Sequence, residues 1–238
     1  MIELYGMGSP NVLKIVLMLE ELELPYRFHQ VNVWGGEQFS EEFRRRNPNA
    51  KVPVIVDAEG PEGKPYTVFE SGAILLYLAE KAGRLLPPKG AARYDAMQWL
   101  MIQLTGVGPM FGQFVHFTRF VPTPIDYAQS RYRTEALRLI DLLESRLGET
   151  AYLGGADYTI ADIATYPWLR ATRRNNFLSL DNRPNVTRWM AAIEKRPAAM
   201  RLEAKAAEIA KVGEAHRAAA SAEDMDRVFG RGRFARTA

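Results

Sequence analysis

The stretch from Asn47 to Lys81 limits what this chain can fold into more than any other. It begins with a helix end stopped by Asn47-Pro48, and Pro53 follows just before the short apolar run Val54-Ile55-Val56. Such a run is too short for a helix and too β-branched to favour one, so it predicts a strand. Pro53 stands at the very start of that strand, where a missing N–H is tolerated. A turn-rich gap leads to a second strand ending at Phe69, and a helix opens abruptly at Glu70-Ser71. The stretch therefore offers an unpaired strand edge beside Val52 and a helix N-terminus, which attracts carboxylates through its unpartnered N–H groups. A small peptide with a free carboxylate suits both. A strand edge that receives a peptide backbone must bend sharply at its start, so the Val52–Pro53 bond is expected to be cis.

Around this stretch the chain punctuates itself clearly. Ile2-Glu3-Leu4-Tyr5 reads as a strand and Gly6-Met7-Gly8 as a turn. Ser9-Pro10-Asn11 then opens a helix, with Ser as N-cap and Pro at the first helical position. Val12, Ile15, Val16, Leu19 and Leu22 recur at helical spacing up to about Glu23, and Pro25 ends the helix. Tyr26 to Val33 reads as a second strand and Gln38 to Arg46 as a short polar helix. The order βαβαββα is that of a thioredoxin-like α+β domain, here residues 1–82. Gly83 to Gly90, with Pro87-Pro88, is the composition break read as a linker.

Everything beyond the linker reads as an all-α domain over residues 91–216. A long helix from Ala91 to about Phe117 is interrupted at Gly106-Val107-Gly108-Pro109, where Pro must bend or break it. Ile125 to Leu147 places Leu137, Ile140, Leu143 and Leu147 on one face. Thr159-Ile160-Ala161-Asp162 is a capping box with Asp in place of Glu. Pro184 and Pro197 each begin a further helix. Residues 217–238, with arginines among small residues, read as a mobile basic tail.

Composition narrows the function classes. The net charge of +3 is small, and its basic excess lies in the last dozen residues, so a clustered nucleic-acid face is not expected. With no cysteine there is no disulfide framework, Cys-metal site or protein thiol nucleophile. Three histidines without His-x-x-x-His pairing argue against zinc, and no metal is expected. No long apolar run or basic leader pattern occurs, so a cytoplasmic protein without a membrane partner is expected.

Lys51-Val52-Pro53-Val54-Ile55 followed by Phe69-Glu70-Ser71-Gly72-Ala73 resembles the glutathione-binding half of the cytosolic glutathione transferases. Ser9-Pro10-Asn11, Gly35-Gly36-Glu37-Gln38-Phe39, Asn49-Ala50-Lys51-Val52-Pro53 and Gly108-Pro109-Met110-Phe111-Gly112-Gln113 are similar to the bacterial nu-class subgroup, glutathione-dependent disulfide-bond oxidoreductases related to a fungal nitrogen-regulatory prion protein. The subgroup more often has Thr where Ser9 stands, which keeps the hydroxyl. The resemblance spans about residues 1–208. It implies glutathione as co-substrate, a homodimer and a cis Pro53. It places Ser9 and Asn11 at the glutathione sulfur. Gln38, Lys51, Val52, Glu70 and Ser71 would hold the tripeptide, and Arg131 would reach it across a dimer interface.

Each residue also has a plainer reading. Ser9 alone would be a helix cap, Lys51 a solvated loop cation, and Glu70 a charge complementing the helix dipole. In this order a cap hydroxyl and the first N–H groups of a helix point at an anion, and helix N-termini lower thiol pKa values. Tyr5 is the rival activator, since other classes use a Tyr near the end of this strand. Asp162 is explained fully by its capping box. Met110, Phe111, Gln113, His116 and Phe117 form a stripe that is either core or, in part, the wall of a second-substrate pocket. The implied reaction is reduction of small disulfides by glutathione, with weaker action on peroxides and electrophilic carbons. A regulatory or scaffold protein on the same fold is the alternative.

Overall fold

The computed structural model describes residues 1–236, so the last two residues of the expected tail lie outside the described residues. The chain packs as two compact units. One is Met1–Ile74 together with the chain from Arg201 on, and the other is Leu75–Met200.

The first unit is built on a four-stranded sheet in the order β2-β1-β3-β4. Its strands are β1 (Ile2–Gly6), β2 (Tyr26–Gln30), β3 (Val54–Asp57) and β4 (Tyr66–Phe69). β1 and β2 run parallel with Ile2 opposite Tyr26, while β1–β3 and β3–β4 are antiparallel. Between them lie α1 (Pro10–Leu22), α2 (Glu41–Arg46) and, after β4, α3 (Ser71–Ala82). This is the expected βαβαββα order. The polar helix expected from Gln38 is divided: a 3₁₀ turn spans Glu37–Phe39, and Ser40 then caps α2 by accepting from the Phe43 N–H. The second strand stops at Gln30 rather than Val33.

Two differences bear on the site. β3 is not a free edge, because β1 and β4 flank it; only Val52, ahead of the strand, lies outside the ladder. The apolar run Val54-Ile55-Val56 is that of a central strand, covered on both faces, and Asp57 at its end is buried too. Helix α1, in turn, is buried almost all round. Besides the expected stripe, Leu13, Lys14, Leu17 and Met18 are also buried.

In the second unit α4 (Ala91–Ile102) passes through a π-helical turn at Gln103–Val107 into α5 (Gly108–Arg119). The Gly-Pro segment therefore neither breaks nor ends the path: Pro109 falls in the first turn of α5, and the wide turn ahead of it accommodates the missing donor. Helix α6 (Asp126–Glu149) buries Ala136, Leu139, Ile140, Leu143 and Leu147, so the face lies a little round from Leu137. Helix α7 (Ile160–Arg174) carries the capping box, and α8 (Pro184–Glu194) and α9 (Pro197–Ala219) begin at the expected prolines. The centre of this core is Trp189 against Tyr166, ring centroids 6.2 Å apart.

The reading of residues 217–238 as a mobile tail is corrected over its described part, residues 217–236. Helix α9 runs on to Ala219, and α10 (Ala222–Phe229) follows, with a Ser221/Asp224 capping box and Gly230 in the left-handed region at its end. Three of the arginines that suggested a loose basic arm are paired with acids of the same segment: Arg227 and Arg233 with Glu223, Arg231 with Asp226.

Candidate functional site

Two helix starts and one turn of the first unit make the candidate site. At the first start, β1 ends in Gly6, where any Cβ would lie 2.5 Å from a Val12 methyl, so only glycine lets the turn into α1 close this tightly. Ser9 takes the N-cap position in extended conformation, and its carbonyl accepts from the Val12 and Leu13 N–H groups at 3.0 and 2.9 Å. Its hydroxyl makes no capping bond, and the first turn of α1 contains no acid. Pro10 brings no N–H, and the Asn11 N–H is one of the orphan donors of a helix start. Ser9 and Asn11 are both partly exposed.

At the second start Glu70 holds φ +68°, an uncommon conformation for a residue with a side chain, and its carbonyl accepts the Ile74 N–H that opens α3. The exposed Glu70 carboxylate accepts from the Asn49 Nδ2 at 2.9 Å. Ser71 is buried, and its Oγ accepts from Lys14 Nζ at 3.2 Å. Lys14 lies one helical turn beyond Asn11 and is fully buried; burial pushes its ammonium down to about 7, while the Glu70 charge opposes that shift.

The turn is Asn47–Lys51. Buried Asn47 donates to the Lys51 carbonyl at 2.7 Å and accepts from the Asn49 N–H at 2.9 Å, which fixes the backbone leading into Val52. The Val52–Pro53 bond is cis, as expected from the sequence. Lys51 itself is exposed.

The elements that carry Ser9, Asn11, Lys51, Val52, Glu70 and Ser71 are thus linked through three residues that the sequence does not mark as part of the site. Lys14 ties the start of α1 to the start of α3, Asn49 ties the turn to Glu70, and Asn47 shapes the turn. A single lysine in the otherwise apolar run Val12–Leu19 was the available signal for the first. The Asn-Pro-Asn composition of a turn was the signal for the others. Gln38 sits in the 3₁₀ turn after β2, buried, with its Oε1 lacking a partner among the described residues. Tyr5 is engaged as a ring, stacked on His29 at 4.6 Å with the Arg46 guanidinium 4.7 Å from its centroid.

The remaining candidates belong to the second unit. Arg131 lies on α6, more than half exposed, with Glu135 at 3.5 Å. Phe111 is core, edge-on to Trp168, whereas Met110, His116 and Phe117 are half-buried and Gln113 is exposed. Asp162 is wholly structural in its contacts: it accepts from the Leu153 and Thr159 N–H groups, the Thr159 hydroxyl and Trp189 Nε1. Among the described residues no group of three or more His, Cys, Asp or Glu could hold a metal, and no helix is long and apolar enough to cross a membrane.

The chain is similar to known proteins along most of its length. Residues 8–81 match the family model of the glutathione S-transferase N-terminal domain, and residues 98–197 that of the C-terminal domain. The disulfide-bond oxidoreductase YfcG of Escherichia coli is 47% identical over 199 residues, covering 83% of this chain and 92% of that protein. A Pseudomonas fluorescens glutathione transferase family member, solved with two glutathione bound, superposes with a TM-score of 0.80 at 43% identity over 84% of this chain and 91% of its own. Ure2p in complex with glutathione gives 0.78 at 31% identity, over 84% and 97%. With both domain models matched in order and relatives this similar along most of their length, the chain belongs to the glutathione S-transferase family.

Proposed function

We propose that the protein reduces small disulfides with thiols supplied by glutathione, acting more weakly on peroxides and electrophilic carbons, as a cytoplasmic homodimer. The observation that carries this reading is the Ser9 hydroxyl. It occupies the N-cap of a helix whose first turn has no acid, and it does not cap. A hydroxyl and an adjacent amide donor in that place favour a thiolate over a thiol. Moving a thiol from about 8.5 to about 6.5 takes roughly 2.7 kcal/mol, and charged hydrogen bonds of about 1.5–3 kcal/mol each supply it.

The tripeptide fits the rest of the constellation. The exposed Glu70 carboxylate suits the γ-glutamyl ammonium, and Ser71 with the α3 N-terminus suits its carboxylate. Val52, outside the ladder before Pro53, offers its backbone to the cysteinyl unit. Lys51 suits the glycyl carboxylate, Gln38 adds an amide, and Arg131 is assigned to a glutathione across the dimer interface.

Since the chain has no cysteine, every thiol in the reaction comes from glutathione. A first glutathione thiolate attacks one sulfur of the substrate disulfide, forming a mixed disulfide and expelling the other sulfur as a thiolate that takes up a proton. A second glutathione thiolate attacks the glutathione sulfur of that intermediate, releasing the second substrate thiol and oxidised glutathione. The two electrons come from the two glutathiones. The protein contributes thiolate stabilisation and positioning.

Steady-state turnover of a small disulfide with glutathione tests the proposal. Activity is expected, and treating the protein with a thiol-blocking reagent beforehand should leave it unchanged. Glutathione binding without turnover of any small disulfide would instead favour a regulatory or scaffold role on this fold.

A further inference from the structure

The chain from α9 onward does something that lies beyond both matched family segments, which end at residue 197. It returns to the loop between β2 and the 3₁₀ turn that carries Gln38. The Arg217 guanidinium lies 5.6 Å from the Trp34 ring centroid, and Phe229, the last residue of α10, meets the same ring edge-on at 6.3 Å. A Cβ on Gly36 would come within 3.4 Å of Arg227 Nη1, so this side chain rests directly on the loop backbone. Gly36 also holds φ +83°, which suits only glycine comfortably.

The loop is tied internally as well. Asn32 accepts from the Gly35 N–H at 2.9 Å and donates its own N–H to the Glu37 carboxylate at 2.7 Å. These bonds set the bend, while α10 supplies the apolar and cationic cover. The covering segment is itself stiffened by the Ser221/Asp224 box, the Arg231–Asp226 and Arg233–Glu223 pairs, and Arg227 stacked 5.3 Å from the Phe234 ring. Its arginines therefore pack and brace; they do not form a free basic patch. Two residues past Gly36 stands buried Gln38, its Oε1 without a partner among the described residues.

We propose that residues 217–234 form a clasp over the Trp34–Gln38 loop, and that Trp34 and Arg227 are positioning residues that hold Gln38 ready for glutathione. The clasp rests on the glutathione-binding reading of the site. Fixing the loop beforehand removes an ordering cost from binding, so its benefit falls on affinity and not on the chemical step.

The test compares the full chain with Trp34→Ala, Trp34→Phe, Arg227→Ala and a chain ending at Ala220, using glutathione itself as probe. In the truncated chain and Trp34→Ala the KM for glutathione should rise about threefold to tenfold with kcat nearly unchanged, the signature of lost pre-organisation. Backbone amide exchange over residues 32–39 should quicken in both, and Trp34→Phe, which keeps an aromatic ring for Phe229, should restore both readouts. Unchanged KM together with unchanged exchange over 32–39 would overturn the clasp. If the truncated chain does not fold, Arg227→Ala carries the same two readouts. If calorimetry shows that the full chain does not bind glutathione, the functional reading fails, while the exchange data still decide whether the clasp holds the loop.

Discussion

Helices α1 and α7 begin alike in sequence and differently in structure. Each has a hydroxyl residue at the N-cap in extended conformation, Ser9 in one and Thr159 in the other. The Thr159 hydroxyl accepts from the Ala161 N–H, and Asp162 returns a carboxylate oxygen to the Thr159 N–H, closing the box. Helix α7 therefore answers its own dipole and its own donors. Helix α1 has no acid in its first turn and no capping bond from the Ser9 hydroxyl, so its positive end and the Asn11 N–H stay open. A helix start completed from within contributes to stability; one left incomplete is free to take an anion, which is the role proposed for Ser9 and Asn11. Their two nearby buried charges divide in the same way, since Asp162 is surrounded by donors whereas Lys14 reaches Ser71 of the site.

This contrast is sharpest where the two starts are mutated. Asp162→Ala orphans two backbone N–H groups and the Trp189 indole, at about 1–3 kcal/mol each, so a loss on the order of 3–5 kcal/mol is expected in urea unfolding. The folded fraction should keep its turnover per molecule. Ser9→Ala should do the reverse. It should cost tenfold to a hundredfold in rate, about 1.4–2.7 kcal/mol, more when Asn11→Ala is added, while stability moves by less than about 0.5 kcal/mol because no cap bond is lost. Full activity in the double variant would end the contrast, and so would a stability loss in Ser9→Ala equal to an ordinary cap deletion.

Next in size are the two exposed charges proposed to meet the tripeptide, Glu70 and Lys51. Glu70→Ala and Lys51→Ala should each weaken glutathione binding by about 1–3 kcal/mol in calorimetry, and unchanged affinity in both would mean the site lies elsewhere.

The comparison extends to the pH dependence of stability. Burial lowers Lys14 from 10.5 to about 7, so between those values the unfolded chain binds more protons and stability should rise with pH. Burial raises Asp162 from 3.8 to about 6, so there the folded chain binds more and stability should fall as pH climbs through that range. Lys14→Met should flatten the upper slope and leave the lower one in place. A single slope lost in both Lys14→Met and Asp162→Asn would show that the two units do not titrate separately.

Much of this was legible in the residues. Pro53 before a β-branched run, Ser9-Pro10 at a helix start and the Thr159–Asp162 box each announce a local geometry, because each depends on neighbours in sequence. Lys14 did not announce itself: its meaning comes from Ser71, distant along the chain and brought to it by the fold. Asn49 is similar, since its partner Glu70 lies beyond two strands and the turn that joins them. The π-turn at Gln103–Val107 was hidden because Gly and Pro signal a break without saying how the helix resolves it. Helix α10 was misread for a compositional reason. Its arginines suggested solvation, and their pairing with Glu223 and Asp226 becomes visible only once the segment is coiled.

The open start of α1 also bears on how long such a protein lasts. A reductase with its own thiol at that turn carries the one atom most easily driven to sulfinic or sulfonic acid, and each such event retires a protein molecule. Here a hydroxyl stands in its place and the chain has no cysteine at all. Over-oxidised sulfur would leave with a spent peptide, and the next reduced one would find the same Ser9 and Asn11 waiting. Among its side chains sulfur is then confined to methionine: Met18 and Met190 are fully buried, while Met101 and Met200 are exposed and lie outside the candidate site. Under a surge of peroxide, the supply of reduced glutathione should run out before the catalyst does.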